Sequence, residues 1–427
     1  MPDSFEFSKI GQVLSQGTGI GELMDDLGRA FASGDPDIKM LGGGQPSLIP
    51  ELDAVWHERW TEIGADKVAL QKMLSIYDGP SGCGGFRTAV AGLLNREFGW
   101  DVAADNIAIT PGGQSAFFYL FNMLAGPMPD GSSRKVLLPL VPEYIGYSDQ
   151  GLQGNLFQAI KPTIEEIGDR QFKYHIDFDA LEALPKGQIG AVCVSRPTNP
   201  SGNVLTNAEI DRLAAFAESR GVPLIIDNAY GAPFPGILFR EIQPFWNSRT
   251  ILTLSLSKLG LPGTRTGIVV APLEIAAAIS SMNAVVGLAN NNIGQAITLP
   301  LIESGRLLKL SSEVIQPFYK EKSDAARSMV ERSLPVDVPW RMHVSEGALF
   351  LWLWFPGLPI SSKELYALLK EAGVLVVPGE YFFFGIGDDA WPHRRECIRI
   401  SYAMDTETVE TGIERIGEVV RNVFLKS

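Results

Sequence analysis

The chain has 427 residues, of which 45% are hydrophobic and 20% charged, and 36 Lys+Arg against 49 Asp+Glu leave a net charge of −13. That length implies more than one folding unit, because a single core stops growing at roughly 250–300 residues, and the apolar content excludes disorder as the bulk state. The acidic balance argues against a nucleic-acid binder, which carries a basic footprint, and against a polybasic membrane-surface protein.

In chain order, Asn106–Thr110 is predicted to be a strand, followed by a helix from about Gln114 to Leu124. Strands are expected at Lys135–Leu140 and Ile189–Ser195. Thr206-x-x-Glu209 is a capping box for a helix reaching Arg220, with Gly221 after its end. Val222–Asp227, Thr250–Ser255 and Gly267–Ala271 are further strands, and Leu273 to about Val286 a helix. Short runs that are apolar on both faces and alternate with helices describe an α/β fold with a mostly parallel central sheet. Beyond about residue 310 the pattern becomes α+β. It comprises a charged helix Val314–Leu334, an apolar strand Ala348–Phe355, a helix Ser362–Ala372, strands at Val374–Val377 and Cys397–Tyr402, and a terminal helix from Thr406. The expected division is an N-terminal arm and part of a small domain at 1–48, a large domain at 49–315 and a smaller C-terminal domain at 316–427. A small-molecule cleft is expected between the two larger units.

Cys83, Cys193 and Cys397 are far apart and odd in number, so no disulfide framework is expected and a reducing compartment is. The four histidines form no H-E-x-x-H, so no metal site is expected. The first residues are acidic without an apolar run, and the longest apolar stretch is far short of a membrane span, so a cytoplasmic protein is expected.

Four segments carry candidate chemistry. Lys258 directly follows an apolar strand, in Ser255-Leu256-Ser257-Lys258-Leu259-Gly260-Leu261-Pro262-Gly263-Thr264-Arg265-Thr266-Gly267. A lysine in an apolar site is disfavoured as ammonium and becomes nucleophilic, while serines and an arginine nearby suit a phosphate. Taken alone, a solvated loop lysine explains the segment equally well. Asp227-Asn228-Ala229-Tyr230 lies at a strand's carboxyl end, where open α/β sheets bind ligands. A lone aspartate there is more simply a turn cap. Ser195-Arg196-Pro197-Thr198-Asn199-Pro200 holds Asn199 on a proline-stiffened loop. Thr110-Pro111-Gly112-Gly113-Gln114 joins a strand to a helix whose first N–H groups can receive an anion. No G-x-G-x-x-G and no Gly-Lys dipeptide occurs, which disfavours dinucleotide and Walker-type sites.

The order of these segments, with Pro142-Glu143-Tyr144 between them, resembles the class I/II branch of the fold-type I pyridoxal-phosphate aminotransferases. The resemblance spans nearly the whole chain. It runs from Leu41-Gly42-Gly43-Gly44-Gln45-Pro46, like the family's substrate-side loop, to Cys397-Ile398-Arg399-Ile400-Ser401-Tyr402, like its carboxylate-binding segment. It implies pyridoxal 5'-phosphate as cofactor and Lys258 as the amine that holds it and shuttles the proton. Asp227 would pair with the pyridine nitrogen, Tyr230 and Asn199 would bond the ring's 3-oxygen, and Tyr144 would stack on the ring. Gly113, Gln114, Ser255, Ser257 and Arg265 would hold the phosphate. Tyr77, in Tyr77-Asp78-Gly79-Pro80-Ser81-Gly82, resembles the tyrosine that reaches the neighbouring subunit's phosphate, which implies a homodimer. Arg399 would clamp the substrate carboxylate with Gly44 and Asn199 nearby.

Ser115–Asn122, Pro142–Tyr147, Asp227–Ile237 and Glu346–Phe355 resemble the branch that moves an amino group from valine to pyruvate, whereas Asn290-Asn291-Asn292 departs from its pattern. The expected partners are therefore small amino acids and 2-oxo acids. Family alternatives are aromatic, kynurenine or aminoadipate donors, or C–S lyase chemistry. An aminotransferase-like sensor of a transcription regulator would need a basic DNA-binding module ahead of the glycine loop, and none is visible. Ile20 to Met24 in the arm, with Tyr144, Ile145 and Tyr147, is expected to make the side-chain pocket apolar. Trp352, Trp354 and Cys193 are expected in the core. His393 with Arg394-Arg395 is expected in a solvated loop, although its family counterpart lies near the substrate entrance.

Overall fold

The computed structural model describes residues 5–15, 21, 25–26, 28–30, 32, 34–387 and 390–426. Apart from Gly21, the expected pocket contribution at 20–24 falls outside them. An eight-stranded sheet forms the larger layer. Across it run Ile107–Thr110, Gly267–Val270, Thr250–Ser255, Leu224–Asp227, Ile189–Ser195, Ser133–Leu138 and Gly126–Pro127, with Phe157–Ala159 also on Ser133–Leu138. The pairings from Thr250–Ser255 through Ser133–Leu138 to Phe157–Ala159 are parallel, and Gly267–Val270 is antiparallel to both its neighbours. Every residue of Ile189–Ser195, Leu224–Asp227 and Thr250–Ser255 is buried, as helices on both faces require.

Proline sets two strand limits that apolar patterning overshoots. The ladder ends at Leu138 before Pro139 and begins at Leu224 after Pro223, because proline brings no N–H to a sheet. The capping box forms as expected: Thr206 N–H donates to Glu209 Oε2 at 2.7 Å, Glu209 N–H donates to Thr206 Oγ1 at 3.2 Å, and Gly221 closes the helix at φ 70°.

A six-stranded sheet forms the second layer, in the order Val377–Pro378, Cys397–Ser401, Phe350–Trp354, Arg341–His343, Gln171–His175 and Thr163–Ile167. Its last two strands come from the middle of the chain and carry polar residues that gave no strand signal. The expected strand Val374–Val377 is two: Val374–Leu375 pairs with Lys39–Met40, and Val377–Pro378 pairs with Cys397–Ser401. The changeover falls at Val376, whose carbonyl would lie 3.2 Å from a Cβ added at Gly42, so the glycine loop passes close beside it. The long charged helix opens with a π-turn at Ser311–Ile315 before Gln316–Ser333.

Trp352 and Cys193 are fully buried, and Trp352 Nε1 donates to the Tyr174 hydroxyl at 2.9 Å. His393 is not in a solvated loop. It is buried 2.5 Å from the Tyr174 hydroxyl, with the Trp354 and Trp391 rings at 4.5 and 5.0 Å, because surrounding aromatics outweigh the polarity of its arginine neighbours. Among the described residues no helix is long and apolar enough to cross a membrane.

Candidate active site

The carboxyl ends of the parallel strands converge on a cavity of about 380 Å³. Its lining includes Gly44, Gly113, Gln114, Tyr144, Asn199, Asp227, Tyr230, Ser255, Ser257, Lys258, Arg265 and Arg399, so twelve of the thirteen residues expected from sequence meet there. Tyr77 does not; it is 82% exposed on the outside of the chain.

Strand register sets the floor. Ser195 pairs with Asp227, and Asp227 pairs with Thr253, so three neighbouring strand ends present side chains at one level. Asp227 Oδ1 accepts from Ala229 N–H at 2.9 Å and Thr253 Oγ1 at 3.4 Å, and Oδ2 accepts from the Tyr147 hydroxyl at 2.5 Å. Burial raises the Asp227 pKa above the ordinary carboxylate value, and the donors, Tyr147 first, oppose the rise. Burial also pushes Glu143 up to about 8, although its carboxyl accepts from Ser195 N–H at 2.8 Å and Ser195 Oγ at 2.6 Å. Glu143 is therefore mostly neutral at neutral pH.

Lys258 lies in a 3-10 turn, Ser257–Leu259, one residue past the end of Thr250–Ser255. Its Nζ donates to the Gly44 carbonyl and stands 5.2 Å from the centre of the Tyr230 ring. Burial first, then the Arg399 and Arg265 cations, lower its pKa to about 8. Trp56 Nε1 donates to the Leu259 carbonyl at 3.0 Å and anchors this turn.

The lining also includes the first turn of Gly113–Leu124, the hydroxyls of Ser255 and Ser257 3.0 Å apart, and Arg265. Gly112 has φ 84°, and a Cβ there would strike the Arg265 guanidinium, so glycine is required for the arginine to lie against this turn. Helix N–H groups, two hydroxyls and a guanidinium are groups that can receive a phosphate.

Arg399, contributed by the second sheet, is 4% exposed. Its Nη1 donates to Asn199 Oδ1 at 2.8 Å and its Nη2 to the Gly42 carbonyl at 2.7 Å, with the Phe350 ring centre 4.1 Å away. Its buried Nε has no acceptor in the protein, an arrangement suited to an incoming carboxylate. The loop bearing Asn199 is tied across the two layers: Glu346 accepts from Val204 N–H at 3.0 Å and from Arg240 Nη1 at 2.7 Å, and it ion-pairs with Lys173 of the second sheet. Lining residues to which sequence reasoning gave no site role include Phe117, Ser195 and Thr253.

An amine of lowered pKa, a buried carboxylate one strand away, a phosphate cradle and an unsaturated guanidinium define an enzyme site of the aminotransferase kind. The chain belongs to the aminotransferase class I and II family, whose model it matches over residues 52–416, and enzymes of this family use pyridoxal phosphate. The chain is 45% identical over 421 residues to the valine–pyruvate aminotransferase of Escherichia coli (strain K12), covering 99% of each. Among solved structures, valine–pyruvate aminotransferase from Salmonella typhimurium LT2 is similar at a TM-score of 0.86 and 43% identity, over 96% of this chain and all of that one. Aspartate aminotransferase from Thermus thermophilus, at 20% identity and a TM-score of 0.79 over 97% of this chain and all of that one, shares the fold.

Proposed function

We propose that this protein transfers the amino group of valine, or of a similar small apolar amino acid, to pyruvate, giving 2-oxoisovalerate and alanine in two half-reactions at one site. The observation that carries this reading is the 45% identity to a valine–pyruvate aminotransferase across 99% of both chains. The charge inventory supports it: among the described residues, the cations lining the cavity are Lys258, Arg265 and Arg399. With Lys258 as the reacting amine, Arg265 at the phosphate cradle and Arg399 for the α-carboxylate, no cation among this chain's described lining residues is left for a second carboxylate, which would be buried unpaired at high cost.

When bound, pyridoxal phosphate supplies the electron sink for the pair left at the donor's Cα. Gly113, Gln114, Ser255, Ser257 and Arg265 hold its phosphate in this proposal. Asp227 would pair with the ring nitrogen, Tyr144 would cover the ring, and Tyr230 and Asn199 would bond the ring oxygen. Arg399 fixes the substrate carboxylate, with Asn199 and Gly44 beside it. Lys258 removes the Cα proton of the donor and, in the return half-reaction, delivers one to Cα of alanine. Its lowered pKa supports that work, because a base near neutrality is both free and strong enough.

The working assembly is a homodimer in which Tyr77 completes the partner's site. Leu74, Ile76, Tyr77, Val285, Val286 and Leu288 are all exposed. The segments carrying them adjoin, since Asn292 donates to the Ile76 carbonyl at 2.9 Å and Asn290 to the Pro80 carbonyl at 2.8 Å. An apolar surface of this kind supports a subunit contact.

The test is kcat/KM for valine and for glutamate, each with pyruvate. Valine is favoured about tenfold, since burying its two methyl groups contributes about 1–2 kcal/mol. A preference for glutamate overturns the proposal.

A further inference from the structure

Tyr147, expected from sequence to help make the side-chain pocket apolar, is not among the residues that line the cavity, yet it makes the closest contact to the Asp227 carboxyl. It is fully buried, and its ring is held by Phe117 at 4.7 Å, Phe121 at 5.2 Å and Tyr144 at 5.2 Å, the last two edge to face. Its hydroxyl donates to Asp227 Oδ2 at 2.5 Å, while the other two donors to this carboxylate, Ala229 N–H and Thr253 Oγ1, both reach Oδ1. The loop carrying Tyr147 is fixed at a second point: Glu143 binds Ser195, the register partner of Asp227. The phenol is thus aimed by two rigid anchors and is shielded from water.

We infer that Tyr147 is a positioning residue that keeps Asp227 the weaker base of the pair it forms with the cofactor's pyridine nitrogen, so that the shared proton stays on the nitrogen. The inference rests on the proposed role of Asp227. A donor on a carboxylate oxygen withdraws charge and lowers its affinity for a proton. In a buried site the competing arrangement, neutral acid beside neutral ring, separates no charge and is favoured by desolvation. The phenol tips that balance toward the ion pair, the form in which the ring best accepts electrons. The other titratable groups around Asp227 leave this task to Tyr147. Glu143 is pushed toward neutrality and so are the Cys193 thiol and the Tyr144 and Tyr230 phenols, all by burial, while the Lys258 amine is lowered toward its neutral form.

Tyr147→Phe removes one oxygen and keeps the ring packing. The readout is the nitrogen NMR shift of ¹⁵N-labelled pyridoxal phosphate bound to the full-length enzyme, which reports the proton's position without turnover. Tyr147→Phe should move the signal toward that of a neutral pyridine. Asp227→Asn should also move it, and adding Tyr147→Phe to Asp227→Asn should produce no further movement, because the phenol acts through the carboxylate. A wild-type shift in Tyr147→Phe, or the same displacement in the presence and absence of the Asp227 charge, overturns the inference. If Asp227→Asn itself leaves the signal in place, the reading of Asp227 falls with it.

Discussion

Arg399 offers the sharpest test of substrate binding, through Arg399→Lys. The variant keeps a positive charge but replaces a planar fork with a point charge. In the wild type two nitrogens are committed, Nη1 to Asn199 at 2.8 Å and Nη2 to Gly42 at 2.7 Å, leaving Nε and the outward hydrogens for the ligand. A lysine cannot satisfy both acceptors and still present paired donors. Loss of one hydrogen bond to a charged group costs about 1.5–3 kcal/mol, so KM for valine should rise about 10- to 150-fold. Steady-state kinetics should be run with valine and with isobutylamine, the same side chain without the carboxylate. The poor rate with isobutylamine should barely change, because the lost interaction belongs to the carboxylate. A KM rise under about threefold for valine, or an equal loss with isobutylamine, refutes the argument; an equal loss would mean that Arg399 acts by packing against Phe350.

Lys258→Ala should abolish transamination and the absorbance of the lysine–cofactor linkage while the protein stays folded; near wild-type turnover would remove the central residue of the proposal. With the Lys258 pKa lowered to about 8, the neutral amine gains about tenfold per pH unit below that value and saturates above it. Capture of pyridoxal phosphate by the apoenzyme should therefore accelerate from pH 6 to 8 and then level, and a flat profile would contradict it. Glu143, raised to about 8 from 4.5, binds its proton more tightly folded than unfolded. Its contribution to stability is full below pH 4.5 and lost as pH rises through 8. Glu143→Gln should flatten the fall in Tm between pH 5 and 8, whereas an unchanged slope would show that Glu143 is ionised in the fold. Sedimentation at assay concentration should find a dimer, and a fully active monomer would exclude the role given to Tyr77.

Local sequence determined the segments whose signal is carried by neighbours a few residues apart. The capping box at Thr206 and Glu209 and the apolar runs at Ile189–Ser195 and Thr250–Ser255 are set by residues within one or two turns of each other, so the pattern contains the outcome. The order of Gly113, Tyr144, Asn199, Asp227, Lys258 and Arg265 was legible because parallel strands deliver their carboxyl ends to one edge, where successive loops must meet. The tertiary structure decided what depends on partners distant in the chain. No spacing rule links Tyr147 to a carboxylate 80 residues away; the contact exists because two strands pair in register and a third supports the loop. Gln171–His175 and Thr163–Ile167 join a sheet completed by C-terminal strands, and their alternation is too polar to announce it. His393 reads as exposed beside two arginines and is buried because Tyr174, Trp354 and Trp391 enclose it from other elements. Burial likewise moves Glu143 and Lys258 to about 8 from opposite sides, since desolvation is set by everything packed around a group and not by the residues next to it in sequence.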